Sequence, residues 1–498
     1  MITGVGPQSS LAISALGDMR SQLSDLQRQL GTGQKSTTYA GLGLDRGLAV
    51  GLQGQLSALS GYADTVTQIG VRMSVQQTTL GRIADIRRSV KSSTLMPLDI
   101  DSSGQTATQR AAAAQLDEIV GLLNTPAGDR YLFSGRAGDK PATDTLDHIL
   151  NGDGARGGLK QIIAERNQAD LGANGLGRLT IPAAVGSQVT ISEETPPTVF
   201  GFKLASVSAL NGATVTGPTG SPASISVNFA SNPNPGDAVT FGFNLPDGTT
   251  QQLTLTATNS VPPGSGEFTI GANPNATAAN LQAALTAGVQ KLAATSLSAA
   301  SAMAAADNFF NVDAGQPPMR VAGPPFDSAT ALIAGTAADT VTWYTGEMGT
   351  DSARGTAVAK VDDALSVSYG ARANEQAIRS TIATVAVYAV STFSPSDPNA
   401  QGRLAAVNQR VSNGLATPPA GQQRIEDIEA ELSFAQTTAT TATQRQQERK
   451  STVEGLLQGI EQASPDEVGA QILALQTRLE ASLQTTSMLY RLSIVNYL

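Results

Sequence analysis

Four stretches of this chain carry residue types that could do chemistry. Gly41–Gly47, reading GLGLDRG, comes near the glycine fingerprint that brings a helix N-terminus against a dinucleotide pyrophosphate. Its third glycine is displaced and no strand precedes it, so its glycines read as a hinge. Asn151–Gly158, NGDGARGG, offers oxygen ligands in the manner of a calcium loop. It lacks the full spacing and the closing glutamate, and reads as a surface loop. His148 is the only histidine, which rules out a two-histidine zinc motif; it reads as a surface or capping residue. Glu426, Asp427, Glu429 and Glu431 cluster as a carboxylate site would, but at that density on one helix they read as a solvated face. There is no cysteine, hence no disulfide, thiolate ligand or cysteine nucleophile. Neither a G-x-S-x-G elbow nor a phosphate-binding Walker loop occurs. The expectation is a chain that is not an enzyme, with no catalytic, cofactor-binding or metal-binding residues and no cofactor.

What remains is an interface chemistry carried by helices at the two chain ends. Ser464 is a favourable N-cap, Pro465 suits the first helical position and Glu467 completes a capping box. Beyond it, Val468, Ile472, Leu475, Leu479, Leu483, Leu489, Ile494 and Leu498 recur mainly at spacings of three and four, one apolar stripe on a helix roughly 50 Å long. Gln471, Gln476, Arg478, Glu480 and Arg491 take the other side. At the N-terminus Leu16, Met19, Leu23, Leu26 and Leu30 step by three and four in a heptad seam. These thirteen apolar residues are the candidate assembly interface.

Between the ends, Gly31–Gly47 breaks the first helix with five glycines. Leu48–Thr94 then reads as one long helix. Leu52, Leu59, Val66, Met73 and Leu80 stand seven apart, and Tyr62, Ile69, Ile83 and Val90 fill the second seam position, with Gln76 the polar exception. Gln105–Asn124 predicts an amphipathic helix and Arg130–Gly135 a short β segment. From about Ile181 to Thr345 the composition turns proline-rich and acidic. Alternation at Ser224–Phe229, Ala238–Leu245, Gln251–Thr258 and Gly266–Ile270 predicts strands, with LPDG at Leu245–Gly248 as a hairpin turn. An alanine-rich helix is expected from Ala276 to about Ala306. Helices resume at Asn374–Phe393, Ala400–Ala416 and Gly421 to about Gly459, the last with a threonine-rich centre that needs packing to be helical.

The 498 residues exceed one ordinary core, and the order of elements is nearly palindromic. The fold class expected is α+β and multidomain: a long antiparallel coiled-coil or bundle rod made from both chain ends, carrying an inserted β-rich outer domain. Residues 1–45 with 460–498 would be the terminal assembly domain, 46–180 with 346–459 the helical rod and 181–345 the insert. A net charge of −9 argues against a nucleic-acid partner. No apolar run is long enough to insert in a membrane, and the polar helix faces lack the lysine and arginine excess of membrane-surface helices. The start of the chain lacks the basic and apolar regions of a cleaved signal peptide.

Leu23–Leu56, LSDLQRQLGTGQKSTTYAGLGLDRGLAVGLQGQL, resembles the N-terminal signature of bacterial flagellins and their hook-associated relatives: a leucine-spaced helix, a basic Ser/Thr-rich break and a small-residue-rich start to a long helix. The last 29 residues resemble the closing helix of that superfamily. Leu122–Pro141, LLNTPAGDRYLFSGRAGDKP, and Tyr369–Arg379, YGARANEQAIR, resemble more narrowly the hook–filament junction proteins. The likeness covers roughly residues 1–180 and 365–498 and leaves the insert out. It implies a structural, self-assembling flagellar component, exported through the type III channel to the extracellular flagellum. Its paired termini would be disordered in the free subunit and helical in the assembly. The partners implied are further copies of itself in a ring or filament, another hook-associated protein, flagellin and an export chaperone. A filament-forming flagellin is the alternative, since the insert is larger than in the shorter junction proteins. A surface-binding or adhesive insert could accompany either.

Overall fold

The computed structural model describes residues 7–96, 99–312, 317–416, 418 and 421–495, with side-chain exposure left out at 7–10, 12 and 489–495. The protein is α+β, about 52% helix and 16% strand, with several small sheets. In chain order come α1 (Pro7–Thr32), a 3₁₀ segment (Tyr39–Asp45), α2 (Arg46–Ser93), α3 (Ala107–Leu123), β1 (Pro126–Ala127), β2 (Arg130–Tyr131), α4 (Leu146–Asn151) and α5 (Leu159–Leu171). The strands β3 (Leu179–Thr180), β4 (Gln188–Glu193), β5 (Lys203–Val207), β6 (Ala213–Thr219), β7 (Ser224–Phe229), β8 (Ala238–Asn244), β9 (Thr250–Thr258) and β10 (Glu267–Thr269) follow. Then come α6 (Pro274–Leu292), a π-turn (Ala293–Leu297), α7 (Ser298–Phe310), β11 (Met319–Val321), β12 (Leu332–Ala334), β13 (Val358–Asp362) and β14 (Leu365–Ser368). The chain closes with α8 (Gln376–Val390), α9 (Ala400–Gly414), α10 (Ile425–Glu461) and α11 (Pro465–Val495).

Two compact units result. One comprises Met1–Gln68, Lys360–Val367 and Thr437–Leu498; the other Ile69–Ala359 and Ser368–Gln436. Helices α2 and α10 contribute to both.

In the larger unit, two four-stranded sheets, ordered β3-β4-β7-β6 and β10-β9-β8-β5, share one core with α6. Their register follows the alternation in the sequence. Val189 faces Val227 and Ile191 faces Ile225, all buried, while the intervening Thr190–Ser226 pair points away from the core. The LPDG turn closes β8 on β9, with Gly248 N donating to Leu245 O at 3.0 Å and Gly248 at φ 77°. Beside the sheets, α3, α5, α7, α8 and α9 form a helical layer. The alanine-rich helix expected from Ala276 to about Ala306 forms over Pro274–Phe310 and carries a π-turn at Ala293–Leu297. Its first part buries Leu281, Leu285 and Val289 in the sheet core, and its second packs on α5, α8 and α9. The sheet core continues through Ala293 and Leu297 to Ala300, and the one extra residue in the π-turn shifts the buried face along the helix.

The long heptad helix forms as its spacing predicts. Ile69, Met73, Leu80, Ile83 and Val90 are each no more than 2% exposed. Gln76, the polar exception, is 1% exposed. Its Nε2 donates to Tyr369 O at 3.2 Å and Leu132 O at 3.4 Å, so an irregular loop backbone is satisfied from a helix seam. Gln76→Leu matches the seam but strands these two carbonyls. Denaturant unfolding should show a loss of about 1–3 kcal/mol rather than the gain that binary patterning suggests. In the same unit α10 runs antiparallel to α2: Gln77 Nε2 donates to Ser433 Oγ at 3.2 Å and Arg87 pairs with Glu426 at 2.7 Å.

Candidate assembly interface

The smaller unit holds the two terminal helices, and α1 packs against α11. The leucine stripes read from the sequence lie along these two helices. Val468 and Leu475 are buried at 4% and 8% exposure, while Ile472 and Leu479 are half-buried. On α1, Leu16, Met19, Leu23 and Leu26 are half-buried. Leu30 and Leu483 lie on the open side, at 49% and 44% exposure. Leu498 lies outside the described residues, and the side chains of Leu489 and Ile494 are outside them too. Four apolar residues not singled out from the sequence, Leu11, Ile13, Leu473 and Met488, are 62–67% exposed. They fall off the main spacing and so gave no periodic signal.

A second feature was not legible in the sequence. The hinge after α1 and the joint between α10 and α11 are zipped by backbone. Gln34 bridges Gln462, Lys35 N donates to Glu461 O at 2.8 Å, and Ala463 N donates to Gly33 O at 2.9 Å. Lys35 Nζ adds a bond to Gly459 O at 3.1 Å. Gly33 sits at φ 70°, where a side chain would be strained, so the chain can leave α1 and turn onto the clasp. Ser464 Oγ accepts from Glu467 N at 3.4 Å as a cap should. The Glu467 carboxylate, expected to close the box, accepts from Gln471 Nε2 at 3.2 Å one turn on.

Beyond the clasp, Ala49 and Leu52 of α2 cluster with Val453 and Leu457 of α10, flanked by Leu42, Leu56 and Ile460. The β13–β14 tip docks on the same helices: Tyr62 OH donates to Asp363 Oδ1 at 2.9 Å, Arg449 pairs with Asp362 at 3.1 Å, and Gln446 Nε2 donates to Val361 O.

The residues that resembled chemical sites are engaged with one another. Gly41–Gly47 lies mostly in the 3₁₀ segment, with Gly43 at φ 58° making the break before α2. In the Asn151–Gly158 loop, Asp153 binds Arg156 and Asn151 Oδ1 accepts from Lys160 at 2.8 Å. The Arg156 guanidinium holds the Asp153 carboxyl down at about 2. His148 Nδ1 lies 3.1 Å from Asp144 on a short helix capped by Thr145. Glu426 pairs with Arg87, Asp427 with Arg424 and Glu431 with Arg354, so the acidic cluster diverges onto three cations. Among the described residues no group of three His, Asp or Glu side chains is placed to hold a metal ion, and no helix is long and apolar enough to cross a membrane.

Among the described residues, Glu429 is the member of that cluster with no ion pair. Burial pushes its carboxyl up, with Glu426 and Asp85 adding to the shift and Arg88 and Arg87 opposing it. A carboxyl whose folded pKa exceeds its unfolded value penalises the native state when ionised, and the penalty fades as pH falls through the folded pKa. Glu429→Gln should therefore raise the unfolding midpoint at neutral pH. The gain should vanish by about pH 4, where the unfolded glutamate also takes up its proton. A gain that persists at that acidity would assign the effect to something other than charge.

The chain matches no protein-family model and none of the curated proteins it was compared with.

Proposed function

We propose that this chain is a structural, self-assembling subunit of the bacterial flagellum, an exported adaptor that joins hook to filament through its terminal helices. The observation that carries the reading is the α1–α11 pair. Both helices come from the chain ends and are clasped at their base, yet they leave Leu11, Ile13, Leu473, Leu483 and Met488 44–67% exposed. Isolated helices of this kind are marginal, and an apolar face left open is suited to burial against neighbours. The resemblance of Leu23–Leu56 and Leu122–Pro141 to hook-associated proteins agrees with it. In this reading α2 and α10 extend as an antiparallel rod, the sheet-bearing segment faces outward, and the chain performs no catalysis and takes no cofactor. Its partners are further copies of itself, another hook-associated protein, flagellin and an export chaperone.

A filament-forming flagellin is the second reading, favoured by the size of the segment between Ile181 and Thr345. The two are separated by deleting the gene and by counting subunits in purified flagella. An adaptor forms a single ring, and cells lacking it carry bare hooks and shed flagellin into the medium. A filament subunit is present in thousands of copies. A strain that swims and builds filaments normally without the protein would overturn both.

A further inference from the structure

The sheet-bearing part of the larger unit is joined to its helical layer at two chain crossings, and both are built from irregular backbone. The incoming crossing, Leu171–Arg178, reads LGANGLGR. Gly172, Gly175 and Gly177 in it have φ of 68°, 68° and 65°. The outgoing crossing is the π-turn, where Ser298 Oγ reaches back to Ala293 O at 3.0 Å, five residues earlier. The crossings touch: a Cβ on Gly177 would stand 2.7 Å from Leu297 Cδ2. Two adjacent irregular crossings define an axis, and helix interruptions of this kind recur where one element must move on another.

Helix α9 closes over that axis with two arginines seven residues apart, hence on one face. Arg403 Nε donates to Ala294 O inside the π-turn at 3.0 Å, and Asp397 holds the guanidinium at 3.0 Å. Arg410 pairs with Asp247 in the β8–β9 turn at 2.7 Å, both side chains 8% exposed. One residue before Arg403, Gly402 lets α9 lie against Thr295, where a Cβ would come within 3.0 Å of Thr295 Cγ2. A paired buried arginine is a poor device for raw stability but a specific one for holding two bodies in a single arrangement.

We propose that the glycine crossing and the π-turn form a hinge, and that Arg403 and Arg410 of α9 are the latch that keeps the sheets and α6 closed against the helical layer. The latch can be released without leaving a buried charge unpaired by combining Arg403→Met, Arg410→Met and Asp247→Asn. The chain has no cysteine, so nitroxides at Ala114→Cys on α3 and Thr214→Cys on β6, both exposed, report one distance. Pulsed electron resonance on the full chain should give a narrow distribution with the latch intact. The released variant should show a second, displaced population while far-UV ellipticity is unchanged. An unchanged narrow distribution in a folded variant would overturn the hinge. Should the triple variant fail to fold, Asp397→Asn frees only the Arg403 guanidinium. Amide hydrogen exchange at Ala293–Leu297 should then speed up at least tenfold, and parent-like protection there would overturn the latch.

Discussion

Leu479→Asp is expected to abolish assembly while leaving the larger unit folded. Leu479 lies one turn from the buried Leu475 and is itself half-buried. An aspartate there must stay ionised in an apolar seam or take up a proton, at a cost of about 2–4 kcal/mol for each contact it spoils. A ring or filament repeats that cost in every subunit, so association should fall below detection in light scattering and in reconstitution onto hooks. The only tryptophan, Trp343, belongs to the larger unit and reports that unit by fluorescence. Its unfolding midpoint should move by no more than the roughly 0.5 kcal/mol typical of a remote surface change. Two results would sink the argument. Normal assembly of the variant would mean that the stripe faces no neighbour. Collapse of the tryptophan transition would mean that the terminal pair is part of one cooperative core.

The largest loss of stability is expected from Trp343→Ala. Trp343 is fully buried, packs at 5.2 Å and 65° on Phe310 and at 5.9 Å on Tyr344, and donates from Nε1 to Phe310 O at 2.9 Å. That carbonyl belongs to the last turn of α7 and also accepts from Val312 N at 2.9 Å. Trp343 O in turn accepts from Asp144 N at 2.9 Å, a bond the substitution leaves in place. Truncation should cost about 3–5 kcal/mol for the side chain, with about 0.5–1.5 kcal/mol more for the indole hydrogen bond, the carbonyl keeping Val312 N as a donor. Trp343→Phe keeps much of the volume and removes only the donor, so it separates the two contributions. Urea unfolding followed by far-UV circular dichroism measures both. A cost below about 1 kcal/mol for the alanine variant would show that the α7 end is held by something other than the indole.

The amino-acid pattern alone determined the features that depend on near neighbours. The heptad over Leu52–Val90 became the buried face of α2, the LPDG stretch became the β8–β9 turn, and Ser464–Pro465 started α11. Both terminal stripes were readable as apolar faces, and α1 does meet α11. Spacing, capping and turn chemistry act within a few residues, so they can be read without knowing the fold. Strands β4, β5 and β6 were not among the strands read from the sequence, although Val189 and Ile191 of β4 alternate with Thr190 and Ser192. Tertiary structure decided the rest. It set Gln76 in a seam to satisfy two loop carbonyls, zipped Gly33–Lys35 to Glu461–Ala463, placed a π-turn in the alanine-rich helix at Ala293–Leu297, and sent Arg410 to Asp247. In the seam, the clasp and the ion pair the partners lie tens to hundreds of positions apart. Such choices are made by which surfaces the folded chain brings together, and a local pattern of side chains carries no record of that.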